Sequence, residues 1–151
     1  MQKLSHVDES GRAAMVDVSG KPAAVRYARA SGKIEIASGT VKLIAENSIK
    51  KGDALRIAEI AGIQAAKLTP QLIPLCHQIR LTNVKVRAKL EADCVRVIAD
   101  ARAVDSTGVE MEALTAVSVA LLTIYDMCKA VDKKMRIGEI TLEEKTKNET
   151  G

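Results

Sequence analysis

Phenylalanine and tryptophan are absent from the 151 residues, and the only tyrosines are Tyr27 and Tyr125. The core must then be filled by aliphatic side chains and alanine, which lets packed elements approach closely. The same poverty of rings excludes an RNA-recognition module, which stacks bases on sheet aromatics. Cysteine is also scarce. Cys76, Cys94 and Cys128 form an odd set without a close-spaced pair, which speaks against a disulfide framework or a zinc ribbon and for reduced intracellular thiols. His6 and His77 are the only histidines. Neither has a second ligand at metal-site spacing, so the sequence offers no metal centre and no metal-dependent hydrolase. No apolar run reaches the roughly 18 residues of a membrane span, and residues 1–10 lack the apolar segment of a signal peptide. The expectation is a cytoplasmic protein without membrane or nucleic-acid partners.

What is present fits one domain over residues 1–151. Lys and Arg number 23 against 19 Asp and Glu, a formal charge of +4, which suits an anionic ligand. Residues 1–21 are polar, without a sustained period, and read as an N-terminal arm in which His6 is an exposed residue; residues 146–151 read as a flexible tail. Pro22 is suited to open a short helix over 23–30, with Gly32 closing it. Residues 33–36 alternate as a short strand and 40–46 form a helix. Asp53 is a natural N-cap for a helix over 54–68, with a small-residue stripe of Ala54, Ala58, Ala61, Gly62 and Ala65, and Pro70 and Pro74 break it. Alternation over 84–90 and 95–102 predicts a hairpin with one buried face. The longest helical pattern lies within 106–133, and a last strand runs over 135–144. Strand, helix, strand, strand, helix, strand is the split βαβ order. The predicted fold class is therefore α+β: a ferredoxin-like subunit with an antiparallel sheet, an N-terminal arm and additional short helices.

Within the long helix, Val109, Ala113, Ala116, Val117, Ala120, Leu121, Ile124 and Cys128 mark a core face, and Ser106 or Thr107 can cap its start. Glu110 and Glu112 stand at its front. Asp126 and Lys129 stand three apart near its back, a spacing that by itself describes an exposed helical ion pair. On an unbroken helix Glu112 and Asp126 are about 20 Å apart at about 1.5 Å per residue. A pocket using both needs either an extended Glu110-Met111-Glu112 segment that folds back, or residues from a second subunit. Lys51 lies in a basic turn before a helix start, where backbone donors and an ammonium suit a phosphate. His77 follows an apolar loop that can hold its ring near neutral titration, and Cys76 beside it reads as a small buried hydrophobe.

Five stretches together carry a resemblance: Met15-Val16-Asp17-Val18-Ser19, Lys51-Gly52-Asp53, the run 60–67 (IAGIQAAK), Leu72-Ile73-Pro74-Leu75-Cys76-His77, and TGVEMEALTA over 107–116, which continues into LTIYDMCKAV over 122–131. Over residues 4–145 the chain resembles the MoaC family. The resemblance implies a cytoplasmic lyase of molybdenum cofactor (molybdopterin) biosynthesis. Its substrate would be 3',8-cyclo-7,8-dihydroguanosine 5'-triphosphate, made from GTP by a radical SAM cyclase acting before it; its products would be cyclic pyranopterin monophosphate and pyrophosphate. By position it makes Lys51, Asp126 and Lys129 the acid/base candidates, and Leu75, Cys76, His77, Glu110, Met111 and Glu112 the substrate-binding segments. It implies a homohexamer, a trimer of dimers with sites at a dimer interface. No cofactor is required by the sequence, and Mg2+ could accompany the triphosphate. Such chemistry moves several protons and holds much negative charge, which lysines can do: beside a cation or in a dry pocket their pKa falls towards neutrality, and otherwise they bind phosphate. Arm or hairpin cations are expected to grip the triphosphate. The chain departs from the family pattern at Gln78, where a proline is usual, at Glu59, where a basic residue is common, at Tyr27 in place of a glutamate, and in its tail. A protein that senses a GTP-like ligand without turning it over would use the same pocket.

Overall fold

The computed structural model describes residues 6–149; residues 1–5 of the expected arm and 150–151 of the expected tail lie outside the described part. Four strands and three helices follow in the order β1 (Ala24–Glu35), α1 (Ser38–Ala45), α2 (Ala54–Leu72), β2 (Leu81–Leu90), β3 (Cys94–Asp105), α3 (Glu110–Cys128) and β4 (Arg136–Glu149). The sheet order is β2-β3-β1-β4, with every neighbouring pair antiparallel. The fold is α+β with the split βαβ arrangement of ferredoxin-like domains.

The main correction is β1. Residues 23–30, expected as a short helix, form the first half of a central strand paired with β3 on one side and β4 on the other. Alanine and arginine favour a helix locally, but two full ladders of hydrogen bonds and complete burial of Ala28, Ala30 and Ile34 outweigh that preference. Gly32 closes no helix. A Cβ there would come within 2.9 Å of Leu121 and Val117 side-chain carbons, so glycine is what lets α3 lie against the sheet.

The Asp53 side chain accepts from the Arg56 amide and caps α2 as expected. The helix continues through Pro70, however. That residue sits in the last turn, where it removes one hydrogen bond near an end already short of partners, and the Ile73 amide still donates to the Thr69 carbonyl at 2.9 Å. Ala54, Ala58, Gly62, Ala65, Ala66 and Thr69 are buried, and Ala61 is half-buried. At Gly62 an added Cβ would lie 2.9 Å from the Ala116 carbonyl oxygen, so α2 and α3 pack almost backbone to backbone. Their opposite ends meet, making the pair antiparallel.

α3 starts two or three residues later than Ser106 or Thr107 as caps suggest: Val109 is the N-cap, without a side-chain hydrogen bond. By length and composition α3 could cross a membrane, but it is the central core helix, with Ala113, Ala116, Val117, Ala120, Leu121 and Ile124 fully buried. After α3, the Asp132 carboxylate is buried and accepts from the Ala37 amide at 2.8 Å and the Thr40 hydroxyl at 2.9 Å. It thereby caps α1, whose own N-cap residue Ala37 has no side-chain acceptor. Residues 146–149, expected in the tail, extend β4, Thr146 pairing with Tyr27 and Glu149 with Ala24. Two departures from the family pattern find local roles: Glu59 accepts from the Ala88 amide of edge strand β2 at 3.0 Å, and the Tyr27 hydroxyl donates to Asp100 at 2.6 Å.

Candidate active site

The antiparallel α2–α3 pair has functional side chains at both ends. At one end the basic turn before α2 reaches the last turn of α3. Gly52 takes a positive φ of 110° there, a conformation that glycine adopts freely and that points the preceding Lys51 back towards α3. Lys51 Nζ is 2.7 Å from Asp126 Oδ2 and 3.1 Å from the Asp126 carbonyl oxygen, one of the carbonyls that a helix C-terminus leaves without an intrahelical partner. Lys129 Nζ lies 2.8 Å from Asp126 Oδ1. One carboxylate thus holds two ammonium groups, one on each oxygen, and all three side chains are about half exposed. The lysines, Lys129 first, hold the Asp126 carboxyl down at about 2. In return Asp126 raises the Lys129 pKa, the reverse of the depression expected for a lysine beside another cation, because the nearest charge is negative.

At the other end, the irregular segment after α2 faces the first turn of α3 across a cavity of about 790 Å3. Leu75, Cys76, His77, Glu110, Met111 and Glu112 all line it, so the structure brings together all six residues of the two expected binding segments. The Glu110-Met111-Glu112 segment is helical, which removes the extended, folded-back alternative. Glu112 is only 3% exposed. Loss of solvent is the main cause that pushes its carboxyl up to about 7, with smaller contributions from Glu110 and Asp105. Cys76 is raised for the same first reason and then by Glu112, so it is a thiol rather than a thiolate, as its reading as a hydrophobe expects. His77 Nε2 is 2.6 Å from the Val16 carbonyl oxygen. A carbonyl only accepts, so Nε2 carries the proton.

The arm contributes more than its composition suggested. Residues 6–14 form a small loop closed by a bridge between Val7 and Ala13, and His6 and Ala13 line the cavity wall. Nothing local in the sequence marks His6, because its place depends on the arm folding back over residues 73–77. A second, smaller cup of about 170 Å3 adjoins the cavity through Gly108 and Glu110 and is lined by Arg26, Lys145 and Lys147. Lys145 Nζ is 3.1 Å from Glu110 Oε1. The hairpin cations Lys85, Arg87 and Lys89 lie elsewhere. They alternate with Val84, Val86 and Ala88, which turn towards the helices, so the charged side chains stand on the opposite sheet face from both ends described above. Within one subunit the hairpin cations therefore stand apart from both ends of the helix pair.

Among the described residues, no group of three or more His, Cys, Asp or Glu side chains could hold a metal ion. The two ends do not form one pocket within a subunit. Glu112 and Asp126 lie on one uninterrupted helix, about 20 Å apart at about 1.5 Å per residue.

The sequence model of the MoaC family matches residues 15–148. The chain is 53% identical over 152 residues to the cyclic pyranopterin monophosphate synthase of Parvibaculum lavamentivorans, with 99% of this chain and 95% of that protein covered. It is 52% identical to the synthase of the same name from Roseiflexus sp., covering 100% of this chain and 97% of that protein. Identity is 50% to molybdenum cofactor biosynthesis protein 1 of Mus musculus, where the match covers 99% of this chain and 24% of the longer protein.

Proposed function

Because the chain belongs to the MoaC family, we propose that it is a cyclic pyranopterin monophosphate synthase, a lyase acting early in molybdenum cofactor biosynthesis. Its substrate is the 3',8-cyclo-7,8-dihydroguanosine 5'-triphosphate supplied by a radical SAM cyclase, and its products are cyclic pyranopterin monophosphate and pyrophosphate. It works in the cytoplasm as a trimer of dimers, without a resident cofactor; Mg2+ enters with the triphosphate.

The observation that carries this reading is the division of ionisable groups between the two ends of α3. The reaction opens a ring of the purine-derived system, forms a pterin, and closes a cyclic phosphate as pyrophosphate leaves, so protons must be exchanged and several phosphate charges held. The apolar cavity with Glu112, His77 and Met111 suits the ring system. Glu112, at about 7, can give or take a proton at neutral pH. Asp126 orients Lys51 and Lys129, and arrival of an anionic substrate beside them replaces part of its hold and frees them for proton transfer or charge stabilisation. Arg26, Lys145 and Lys147, beside the N-terminus of α3, suit the phosphate tail. The two ends become one site when a second subunit supplies the end that the first lacks.

The test is incubation of the purified protein with the cyclic triphosphate, following pyrophosphate and pterin product together. Formation of both, lost in Lys51→Ala and Lys129→Ala, supports the reading. Tight binding with neither product overturns it in favour of a nucleotide sensor.

A further inference from the structure

Residues 6–14 are built as a unit although they belong to no helix and to no strand of the sheet. The Asp8 carboxylate gathers them. Its Oδ1 accepts from the Ser10 amide at 2.9 Å, the Ser10 hydroxyl at 2.6 Å and the Arg12 amide at 3.0 Å, and its Oδ2 accepts from Arg12 Nε at 3.3 Å. The Asp8 amide donates to the Arg12 carbonyl at 2.8 Å and the Ala14 amide to the His6 carbonyl at 3.0 Å, which closes the two ends. Gly11 takes the positive φ of 79° that the turn between them needs. A polar, non-periodic sequence thus yields a preformed loop, so a ligand that touches it meets a shape already ordered.

Every residue of the loop except Ala14 is exposed, yet His6 and Ala13 complete the wall of the cavity of about 790 Å3. Just beyond the loop, the Val16 carbonyl accepts from His77 Nε2 at 2.6 Å and ties the arm to the binding segment. That bond uses the one N–H of a neutral His77 and leaves its Nδ1 as an acceptor only. Of the two arm residues in the wall, only His6 has a polar side chain. We propose that residues 6–14 form a strap that carries His6 over the cavity as a further substrate-contacting residue, hydrogen-bonding the ring system of the cyclic triphosphate from the arm side. The ligand named here rests on the synthase reading above. Asp8 is a positioning residue that acts through His6, and the bond from His77 to Val16 sets where the strap lies. A ring system with donors and acceptors around its edge then meets polar side chains from the arm, from residues 73–77 and from the first turn of α3. In an apolar cavity an edge left unpaired would be costly.

The test uses the full-length protein and the cyclic triphosphate, with turnover and calorimetric binding measured on the same preparations. His6→Ala is expected to lower kcat/KM and weaken binding by about tenfold, the scale of one lost hydrogen bond to a desolvated ring. His6→Gln, which keeps a donor and an acceptor, should recover part of the loss. Asp8→Ala is expected to lose a comparable factor, and the double variant no more than His6→Ala alone, because without His6 there is nothing left to position. Glu9→Ala, on the same loop, should match wild type. Wild-type behaviour of His6→Ala, or losses that multiply in the double variant, overturns the proposal. A measurement without ligand separates it from the synthase reading. Cys94 and Cys128 are buried and Cys76 is half-buried in the cavity wall, so alkylation of Cys76 by iodoacetamide reports access to the cavity. Asp8→Ala is expected to speed that labelling several-fold, and an unchanged rate overturns the strap. If the protein neither binds nor converts the triphosphate, the synthase reading falls and the labelling rate alone decides for or against the strap.

Discussion

Lys51 Nζ sits 2.7 Å from Asp126 Oδ2 although the two residues are 75 positions apart, and this places both in the same half of the site on the same chain. Mixed oligomers of Lys51→Ala and Asp126→Asn should therefore recover no activity, because every combination leaves a damaged lysine end in each site. Lys51→Ala mixed with Glu112→Gln should recover it. In a mixed pair one of the two sites takes its intact lysine end from one chain and its intact cavity from the other. Random pairing then gives roughly a quarter of the wild-type rate. Product formation after verified subunit exchange is the readout, and recovery in the first mixture would place Lys51 and Asp126 in different halves.

Asp126→Asn keeps the shape of the side chain and removes the charge that organises both ammonium groups. Turnover should fall by about two orders of magnitude or more, the usual scale for losing a positioned proton-transfer group, while the denaturation midpoint stays near that of wild type, since exposed ion pairs contribute little to stability and the Asp126 side chain is about half exposed. A variant with near-normal kcat would remove Asp126 from the mechanism.

Glu112 makes a prediction about pH. Its carboxyl is raised from the ordinary 4.5 to about 7 in the fold, so the folded state holds a proton that the unfolded chain releases between those values. The contribution of Glu112 to stability is greatest below about 4.5, declines as pH rises through the window, and levels off above about 7, a total change on the order of 3 kcal/mol. Urea denaturation of wild type and Glu112→Gln across this range should show the decline only in wild type. Parallel curves would mean that the carboxyl finds compensation that burial alone does not supply.

Gly62→Ala sets two effects against each other. Alanine gains about 1 kcal/mol of helix propensity over glycine, but its Cβ would stand 2.9 Å from the Ala116 carbonyl oxygen and 3.0 Å from a Val86 methyl. Backbone cannot rotate away as a side chain can, so overpacking should dominate and the variant should lose about 1–2 kcal/mol in chemical denaturation. A more stable variant would show that α2 can slide outward without cost.

Features set by local rules were legible in the sequence. The hairpin announced itself by alternation, Asp53 by its place before an apolar run, and the core face of α3 by its period. Residues 23–30 misled because alanine and arginine carry a helix preference that only the neighbouring strands β3 and β4 overrule, and those neighbours are distant in the chain. Pro70 misled in the other direction, since a proline near a helix end costs less than one in the middle. The two site segments were visible as motifs, and the distance along α3 showed that one straight helix cannot bring them together. What could not be read was the arm: His6 reaches the cavity wall, and His77 finds the Val16 carbonyl, only through a fold-back that leaves no periodic trace.

The scarcity of rings also decides how this molecule looks to light. With no tryptophan, its near-ultraviolet absorbance and emission belong to two phenols. Tyr27 lies on the outer sheet face and donates its hydroxyl to the Asp100 carboxylate, an arrangement that quenches a phenol's fluorescence. Tyr125 sits on the exposed face of α3. The intrinsic emission of the protein is therefore weighted towards one residue on the exposed face of α3, and whatever covers that face would register in a fluorimeter without any label.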